Sequence, residues 1–279
     1  MLRQSAIALF LIAAGSAQAA EKTLDRTFTV SPGGELVVDA DGASVHVSGN
    51  DGNQVIVHMV FGGSESDLDE IELDAVQKDN GVTVTARKPT RSWLFSWGKW
   101  GKQEIEVTVP RRYAVNVRTR GGGIELRDTI GAASLHTSGG SISARNVNGT
   151  VELRTSGGSI QAETIKGDVD ADTSGGSIDL SQIDGKIRGN TSGGSVNCSL
   201  VGANRGISVS TSGGSIELSL PRGTPGNIEA TTSGGQVTTD IPVTSTVFKD
   251  SHLEGTMNGG GLPIYAHTSG GSITIRAEK

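Results

Sequence analysis

The sequence predicts an all-β protein, a parallel β-solenoid (β-helix) with coils of about 18 residues, capped by an N-terminal β-rich region. Three observations support this prediction. The string T-S-G-G recurs at nearly constant intervals, and the apolar residues between its copies alternate with a period of two. Glycine is abundant, at 41 of 279 residues, whereas aromatic residues make up only 4%. Stacked coils suit this composition, because their core is a narrow column of small and branched side chains.

Residues 1–19 are predicted to be a signal peptide. Arg3 supplies the positive charge, a short apolar run follows, and Ala17 and Ala19 match an A-x-A cleavage site. The run is too short to span a bilayer, and no cysteine lies near the cleavage point to accept a lipid. We therefore expect an exported protein, periplasmic or at the cell surface, that is not a lipoprotein and has no transmembrane segment in its mature chain.

Residues 20–118 are predicted to form the N-terminal β-rich cap, continuous with the solenoid. Segments such as TFTV, GELVVDA, ASVHVSG, QVIVHMVF and GVTVTA alternate apolar and polar residues, as half-buried strands do. Pro-Gly, Asp-Gly and Asn-Gly pairs separate these segments. The stretch SESDLDEIEL is predicted to form one helical turn capped by Ser64 or Ser66.

Residues 119–239 are predicted to be the regular solenoid. Each coil should carry two short strands, I-x-A/L and V-x-L-x-T, stacked on the next coil about 4.8 Å away. We expect the Gly-Gly pair to supply left-handed backbone at one corner, with Asn-Gly, Lys-Gly or Asp-Gly at the opposite corner. Cys198 falls on an inward position, which predicts a small buried hydrophobe rather than a redox group. The T-S-G-G strings begin at Thr137, Thr155, Thr173, Thr191, Thr211, Thr232 and Thr268.

Residues 240–279 are predicted to comprise a C-terminal capping segment and the last repeat. The period breaks over 240–256, where Phe248 and Leu253 are expected to fold over the open end of the stack. A cap is expected there because an uncovered parallel edge invites polymerisation.

These features resemble a family of bacterial putative adhesins of unknown function, exported β-helical envelope proteins with Gly-Gly β-strand repeats. The resemblance covers nearly the whole mature chain. It includes the early strand between Gly42 and Gly49, the strand ending in Val109-Pro110, the serial T-S-G-G-S-I units and G-G-G-L-P-I over 259–264. It implies an exported β-helical protein with an envelope or surface function, and it supplies no catalytic residues.

The sequence offers little support for enzymatic chemistry, and no cofactor is expected. No H-E-x-x-H, G-x-S-x-G or P-loop motif is present. His136 and His267 are expected to be solvated surface residues. Glu152 and Asp170 should lie one coil apart, as in a polysaccharide-cleaving β-helix, but coils of 18 residues leave no length for the walls of a cleft.

Calcium is also disfavoured as a ligand. Three aspartates, Asp168, Asp170 and Asp172, lie close together in the sequence. Alternation along the predicted strand turns their neighbours inward and spreads the carboxylates over the outer face. No metal site is therefore predicted.

Residues 87–102 are the one compositional anomaly. They hold all three tryptophans and five cations without an acid, whereas the rest of the mature chain has a net charge of about −12 by the same count. Tryptophan beside lysine suits a membrane–water interface and equally suits stacking on sugar rings. The candidate binding residues are Trp93, Phe95, Trp97, Lys99, Trp100 and Lys102.

The aromatic residues of this segment could instead plug the core of the cap, or contact a protein. The acidic surface elsewhere argues against nucleic acid as a partner. The sequence therefore predicts a non-enzymatic, exported, adhesin-like interaction module that contacts lipid or glycan at the bacterial envelope. The alternatives are a periplasmic regulatory or sensory protein that binds another envelope protein and, less favoured, a glycan-active enzyme.

Overall fold

The computed structural model describes residues 20–88 and 101–278. Within these ranges the chain forms 25 strands and one six-residue helix. The strands build two long sheets, sheet I with 12 strands and sheet II with 13, whose central strands run parallel. The predicted all-β solenoid is confirmed. The predicted signal peptide, residues 1–19, lies outside the described part and stays a prediction.

The strands fall into three groups along the chain. The N-terminal group is β1 (Ala20–Thr29), β2 (Gly34–Ala40), β3 (Ser44–Asn50), β4 (Gln54–Gly63), α1 (Glu65–Glu70), β5 (Glu72–Lys78), β6 (Gly81–Arg87) and β7 (Gln103–Pro110). The central group is β8 (Tyr113–Thr119), β9 (Ile124–Ile130), β10 (Ala133–His136), β11 (Ile142–Asn148), β12 (Val151–Thr155), β13 (Ile160–Lys166), β14 (Val169–Thr173), β15 (Ile178–Asp184), β16 (Ile187–Thr191), β17 (Val196–Leu200), β18 (Ile207–Thr211) and β19 (Ile216–Leu220). The C-terminal group is β20 (Gly226–Thr232), β21 (Val237–Thr239), β22 (Val243–Lys249), β23 (His252–Met257), β24 (Pro263–Thr268) and β25 (Ile273–Ala277).

Each central coil contributes one strand to each sheet. In one coil, β12 in sheet II leads through a T-S-G-G-S corner into β13 in sheet I, and the next coil repeats this with β14 and β15. Equivalent residues stack in register, for example Ile160 on Ile178 and Leu153 on Ala171. These side chains are at most 1% exposed, so the core is a column of inward residues between the two sheets.

In four central coils, the longer strand bends at a left-handed residue; these strands are β9, β11, β13 and β15. Asp128, Asn146, Thr164 and Gln182 have φ values of 61°, 54°, 57° and 56°, and they recur every 18 residues. Such a bulge lets two residues three positions apart both point inward, as Ala162 and Ile165 do. The predicted strand I-x-A/L is therefore longer than expected, because the next apolar position belongs to the same bent strand.

The T-S-G-G-S corner is held by two repeated hydrogen bonds. The hydroxyl of Thr173 donates to the carbonyl oxygen of Gly158 in the preceding coil, at 2.8 Å. The hydroxyl of Ser159 accepts the backbone N–H of Ser177 from the following coil, at 3.2 Å. Both bonds recur in the neighbouring coils, so the threonine and the last serine join successive coils.

The Gly-Gly pair has a different role from the predicted one. None of the T-S-G-G glycines has a positive φ, so the expected left-handed corner was wrong. A Cβ atom on Gly158 would lie 2.0 Å from the carbonyl oxygen of Gly140 one coil away. The glycine is required because backbones approach closely there. Left-handed glycines do occur at the opposite corner, at Gly149 and Gly167.

The coils do not stack in chain order at either end. In space, the coil of β2 and β3 lies between the coil of β6 and β7 and that of β8 and β9. At the other end, the coil of β24 and β25 lies between that of β18 and β19 and that of β20 and β21. Thr268 accordingly donates to Gly214, and Thr232 donates to Gly271. The last repeat in the sequence is thus second from the end of the stack.

The N-terminal end is closed by antiparallel strands and the helix. In sheet I, β4 pairs with β7 and β1 pairs with β4, while β5 extends sheet II beside β6. Ser64 caps α1, as one of the two predicted capping residues, and Leu68 and Ile71 are buried. The ammonium of Lys22 donates to the carbonyl oxygens of Leu68 and Ile71, at 2.9 and 2.7 Å, and so fixes the end of the helix.

The C-terminal end is closed only in part. Sheet II extends by the hairpin of β23 and β22, whereas sheet I ends at the three-residue strand β21. Leu253 is buried as expected, but Phe248 is 66% exposed. The prediction that both side chains cover the open end was therefore right for Leu253 and wrong for Phe248, because β22 extends beyond the last strand of sheet I.

Candidate interaction surface

The basic tryptophan segment, residues 87–102, begins and ends at the same edge of the solenoid as the T-S-G-G-S corners. It connects β6 in sheet II with β7 in sheet I, the step that T-S-G-G-S makes in a regular coil. The coil of β6 and β7 is the last parallel coil at the N-terminal end, and β4, β1 and β5 lie beyond it. The segment therefore connects the two sheets at a position where a regular coil has a tight corner.

The first end of the segment is fixed at Lys88. Its backbone N–H donates to the carboxylate of Asp41 at 3.0 Å, and its ammonium donates to the side-chain oxygen of Gln103 at 2.6 Å. Burial lowers the pKa of Lys88, while the nearby carboxylates of Asp41 and Asp67 oppose that shift. Lys88 therefore acts as an anchor inside the corner rather than as a free surface cation.

The second end is fixed by backbone and by charge. Gly62 makes two strand-like bonds with this end: its oxygen accepts the N–H of Gly101 at 3.0 Å, and its N–H donates to the oxygen of Lys102 at 2.7 Å. Lys102 is exposed and pairs with the carboxylate of Glu104. The hydrogen bond that Lys102 donates to Glu104 and the negative charge of that carboxylate raise the pKa of Lys102, so this cation stays charged at neutral pH.

The structure describes only one of the six predicted site residues. Lys102 lies at the edge of sheet I, as given above. Trp93, Phe95, Trp97, Lys99 and Trp100 lie outside the described residues. The grouping of all six into one binding surface therefore stays a prediction.

A shallow depression of about 380 Å³ follows the same edge on the side of sheet II. Arg118, His136 and Arg154 stack in register along it, one coil apart. Arg118 is exposed, whereas the guanidinium of Arg154 contacts Glu152 at 2.6 Å and Asp170 at 3.5 Å. Sequence reasoning missed this column, although its 18-residue spacing was visible in the repeat.

His136 is more buried than predicted. Its side chain is 30% exposed, and its Nε2 atom is shielded from solvent without a hydrogen-bond partner. Burial is the main cause that lowers the pKa of His136; Glu152 opposes this shift, while Arg118 and Arg154 add to it. The expectation of a solvated His136 was wrong because the neighbouring long side chains cover the ring. His267 is exposed as expected.

A second depression, of about 410 Å³, lies on the side of sheet I. Ser44, His46 and Glu125 line it, together with serines of the next corners. The two nitrogens of His46 lie 3.4 Å from Glu104 and 3.3 Å from Glu125. The depression is open, and hydroxyl, imidazole and carboxylate groups are among the groups that line it.

The carboxylate pair considered for glycan cleavage is not arranged for catalysis. Glu152 and Asp170 are adjacent across the strands, as predicted, but Arg154 contacts both of them. The hydrogen bond that Arg154 donates to Glu152 is the main cause of the lowered pKa of Glu152. A carboxyl group with a lowered pKa is disfavoured as a general acid at neutral pH. Asp172 also contacts Arg154, at 3.8 Å. The column is an ion-pair network on an open face.

The described residues contain no cluster of potential metal ligands, and their one cysteine is buried. Among residues 20–88 and 101–278, no three His, Cys, Asp or Glu side chains lie close enough together to hold a metal ion. Cys198 is buried between Leu180 and Leu218, and burial raises the pKa of its thiol to about 12. The thiol therefore behaves as a small hydrophobe, as predicted.

No helix among the described residues has the length and apolar character needed to cross a membrane. The longest described helix, α1, has six residues.

Comparisons with known proteins find matches that cover most of the chain. The Toastrack DUF4097 family matches residues 34–276. Similar solved structures include a "putative adhesin" from Bacteroides fragilis, with 14% identity and a TM-score of 0.49, covering 92% of this chain and 97% of that one. A "putative cell adhesion protein" from Clostridium sporogenes has 14% identity and a TM-score of 0.29, covering 92% and 100%. A "putative lipid binding protein" from Parabacteroides distasonis has 12% identity and a TM-score of 0.40, covering 92% and 97%. A search of curated proteins finds no match.

Proposed function

Since the chain belongs to the Toastrack DUF4097 family, we propose that it is a non-enzymatic, exported interaction module that binds a surface of the bacterial envelope through residues 87–102. The ligand is an anionic lipid surface or a glycan. The observation that carries the proposal is the separation of charge. Five cations and three tryptophans fall in one segment of a chain whose formal net charge is −6. An acidic body is repelled by an anionic surface, so contact is favoured only through this segment.

The anchored ends of the segment support the same function. Lys88 and Gly101 hold both ends of the segment to the coil of β6 and β7, the last parallel coil at the N-terminal end. A surface that binds the segment would therefore meet this part of the stack first.

The test is co-sedimentation of the protein with vesicles of anionic phospholipid, vesicles of neutral phospholipid, and insoluble cell-wall glycan. We expect binding to one anionic or glycan surface with a blue shift of the tryptophan emission. Trp93→Ala plus Trp97→Ala should abolish both signals. Lys99→Gln plus Lys102→Gln should weaken binding to anionic vesicles by roughly 10- to 30-fold at low salt, since each lysine near such a surface contributes about 1 kcal/mol.

The control variant is Lys166→Gln plus Lys186→Gln, which removes the same charge from exposed positions on the regular coils. It should bind like the wild type. Binding to none of the three surfaces, or binding that survives loss of both tryptophans, would contradict the proposal. A single protein adduct from a crosslinker placed at residue 97 would favour the regulatory alternative.

A further inference from the structure

The two sheets present four edge strands, and three of them are protected against pairing with another chain. An edge strand exposes unpaired N–H and C=O groups, and charges or short length usually block them. Strand β21 has only three residues. The charged residues on the other two are Glu21, Lys22, Asp25 and Arg26 on β1 and Glu72, Asp74 and Lys78 on β5.

The fourth edge, β22, lacks charge over most of its length. Its first six residues, VTSTVF, are uncharged, contain no proline and favour β-structure. Its one irregularity is a bulge between Ser245 and Val247 on the side of β23. Phe248, at 66%, is the most exposed large hydrophobic side chain among the described residues. This strand therefore has the features of a pairing edge.

The inner face of β22 is also uncovered. Phe248 pairs with Leu253, which is buried, so both side chains lie on the inner face of sheet II. Ser245 pairs with Gly255 on the same face. Sheet I ends at β21, so no strand lies opposite β22. An added strand would therefore extend sheet II, and its side chains could cover Phe248.

We propose that β22 is a homodimerisation edge, which pairs antiparallel with β22 of a second copy of this chain. The charges at its two ends select this occupant. Lys249, at the end of the strand, is exposed and makes no ion pair within the described residues. Asp240, before its start, is exposed as well, and one of its carboxylate oxygens accepts the backbone N–H of Ala277 at 2.7 Å. Antiparallel pairing of two copies brings each Lys249 towards the Asp240 end of the other copy, at both ends of the interface.

The test is the mass of the purified protein by sedimentation or light scattering, from about 1 to about 500 µM. We expect a monomer at low concentration and a dimer at high concentration. Ser245→Lys should abolish the dimer, because it places a charge on the inner face that pairing would bury. The matched control is Val76→Lys on the edge strand β5, where Val76 is 49% exposed. This control should dimerise like the wild type.

A charge reversal tests the choice of partner. Lys249→Glu should weaken the dimer more than Lys249→Gln does, because the glutamate would be repelled by Asp240 of the other copy. Amide hydrogen exchange of the wild type gives an independent readout, since the amides of β22 should become protected as concentration rises. A monomer at every concentration would overturn the proposal and leave the edge to a different chain. A dimer insensitive to Ser245→Lys would overturn it as well.

Discussion

The second glycine of each T-S-G-G-S corner is required by distance rather than by backbone conformation. A Cβ atom on Gly158 would lie 2.0 Å from the backbone of the coil below, whereas one on Gly157 would lie 3.5 Å from its nearest neighbour, the carbonyl oxygen of Gly139. Neither glycine has a positive φ. The two adjacent glycines are therefore not equivalent, although they look alike in the sequence.

Gly158→Ala should lower the free energy of unfolding by about 2 to 3 kcal/mol, because neither backbone can move without breaking the stack. Gly157→Ala, its matched control, should change it by less than about 0.5 kcal/mol. Urea unfolding followed by circular dichroism measures both values. Equal effects of the two substitutions would refute the distance argument.

Gly189 is the opposite case, a glycine where a larger residue fits. It stacks between Ala171 and Val209 on the inner face of sheet II. A Cβ atom there would meet the side chains of Val196 and Val209 at 3.6 Å, an ordinary van der Waals contact. Gly189→Ala should therefore raise the free energy of unfolding by about 0.5 to 1 kcal/mol, since glycine in a strand carries an entropic cost. A lower thermal midpoint in the variant would show that the site has no room.

His136 should make the protein less stable in mild acid. Its folded-state pKa is below the usual 6.5, mainly through burial, so the unfolded chain binds a proton that the folded chain resists. The charged groups that face its ring are Arg118, Arg154 and Glu152. The contribution of His136 to the free energy of unfolding is therefore constant above about pH 6.5 and falls as the pH drops below that value.

Urea unfolding at pH 7.5 and pH 5.5 tests this effect. The loss of stability between the two pH values should be smaller in His136→Gln than in the wild type. His267→Gln, at an exposed position, serves as the control. An equal loss in all three proteins would assign the acid sensitivity to other groups. Glu152 acts in a lower window, because its own pKa is lowered and its stabilisation is lost only below about 4.5.

At the scale of elements, the out-of-order coils protect the chain ends. In a solenoid stacked in chain order, the last coil has one neighbour and frays first. Here the last coil, β24 and β25, pairs on both sides, with β18 and β19 and with β20 and β21. The hairpin strand β22 takes the exposed position instead.

Hydrogen exchange should reveal this order. Amides of 263–277 should exchange as slowly as those of 207–220, although they lie near the C-terminus. Amides of 243–249 should exchange much faster in dilute protein, because that strand pairs on one side only. Mass spectrometry of peptides from these three ranges measures the exchange rates. Fast exchange over 263–277 would contradict the observed pairing.

At the scale of the whole molecule, the sequence predicts the solenoid well, because one repeated unit determines most of the contacts. Inward positions such as Ile160 and Ile178 follow directly from alternation and are buried. The sequence does not predict the stacking order of the last coil. The T-S-G-G-S unit at Thr268 carries the same bonding groups as every other unit, so it fits any slot. Only the length and direction of the 240–262 connection select its position.

From the sequence, the candidate site could be predicted only as a cluster of residue types and not as an arrangement of side chains. The cluster of tryptophans and lysines is evident in the sequence, and the structure fixes where its ends, Lys88 and Gly101, attach. The column of Arg118, His136 and Arg154 depends on which outward positions face each other, and the shielding of His136 depends on long neighbouring side chains. Such side-chain arrangements follow from packing and not from the period of the repeat.

The stacked core raises the question of whether the coils unfold together, and Cys198 can answer it. The thiol is buried and its pKa is raised to about 12, so a thiol reagent at pH 8 should react only when the coil opens. Gly158 lies two coils away from Cys198 along the stack. If the stack opens as one unit, Gly158→Ala should accelerate labelling by roughly 30-fold, the factor that corresponds to about 2 kcal/mol. Gly157→Ala should leave the rate unchanged. If each coil opens independently, neither substitution should alter it, and the stack would behave as a series of locally stable repeats.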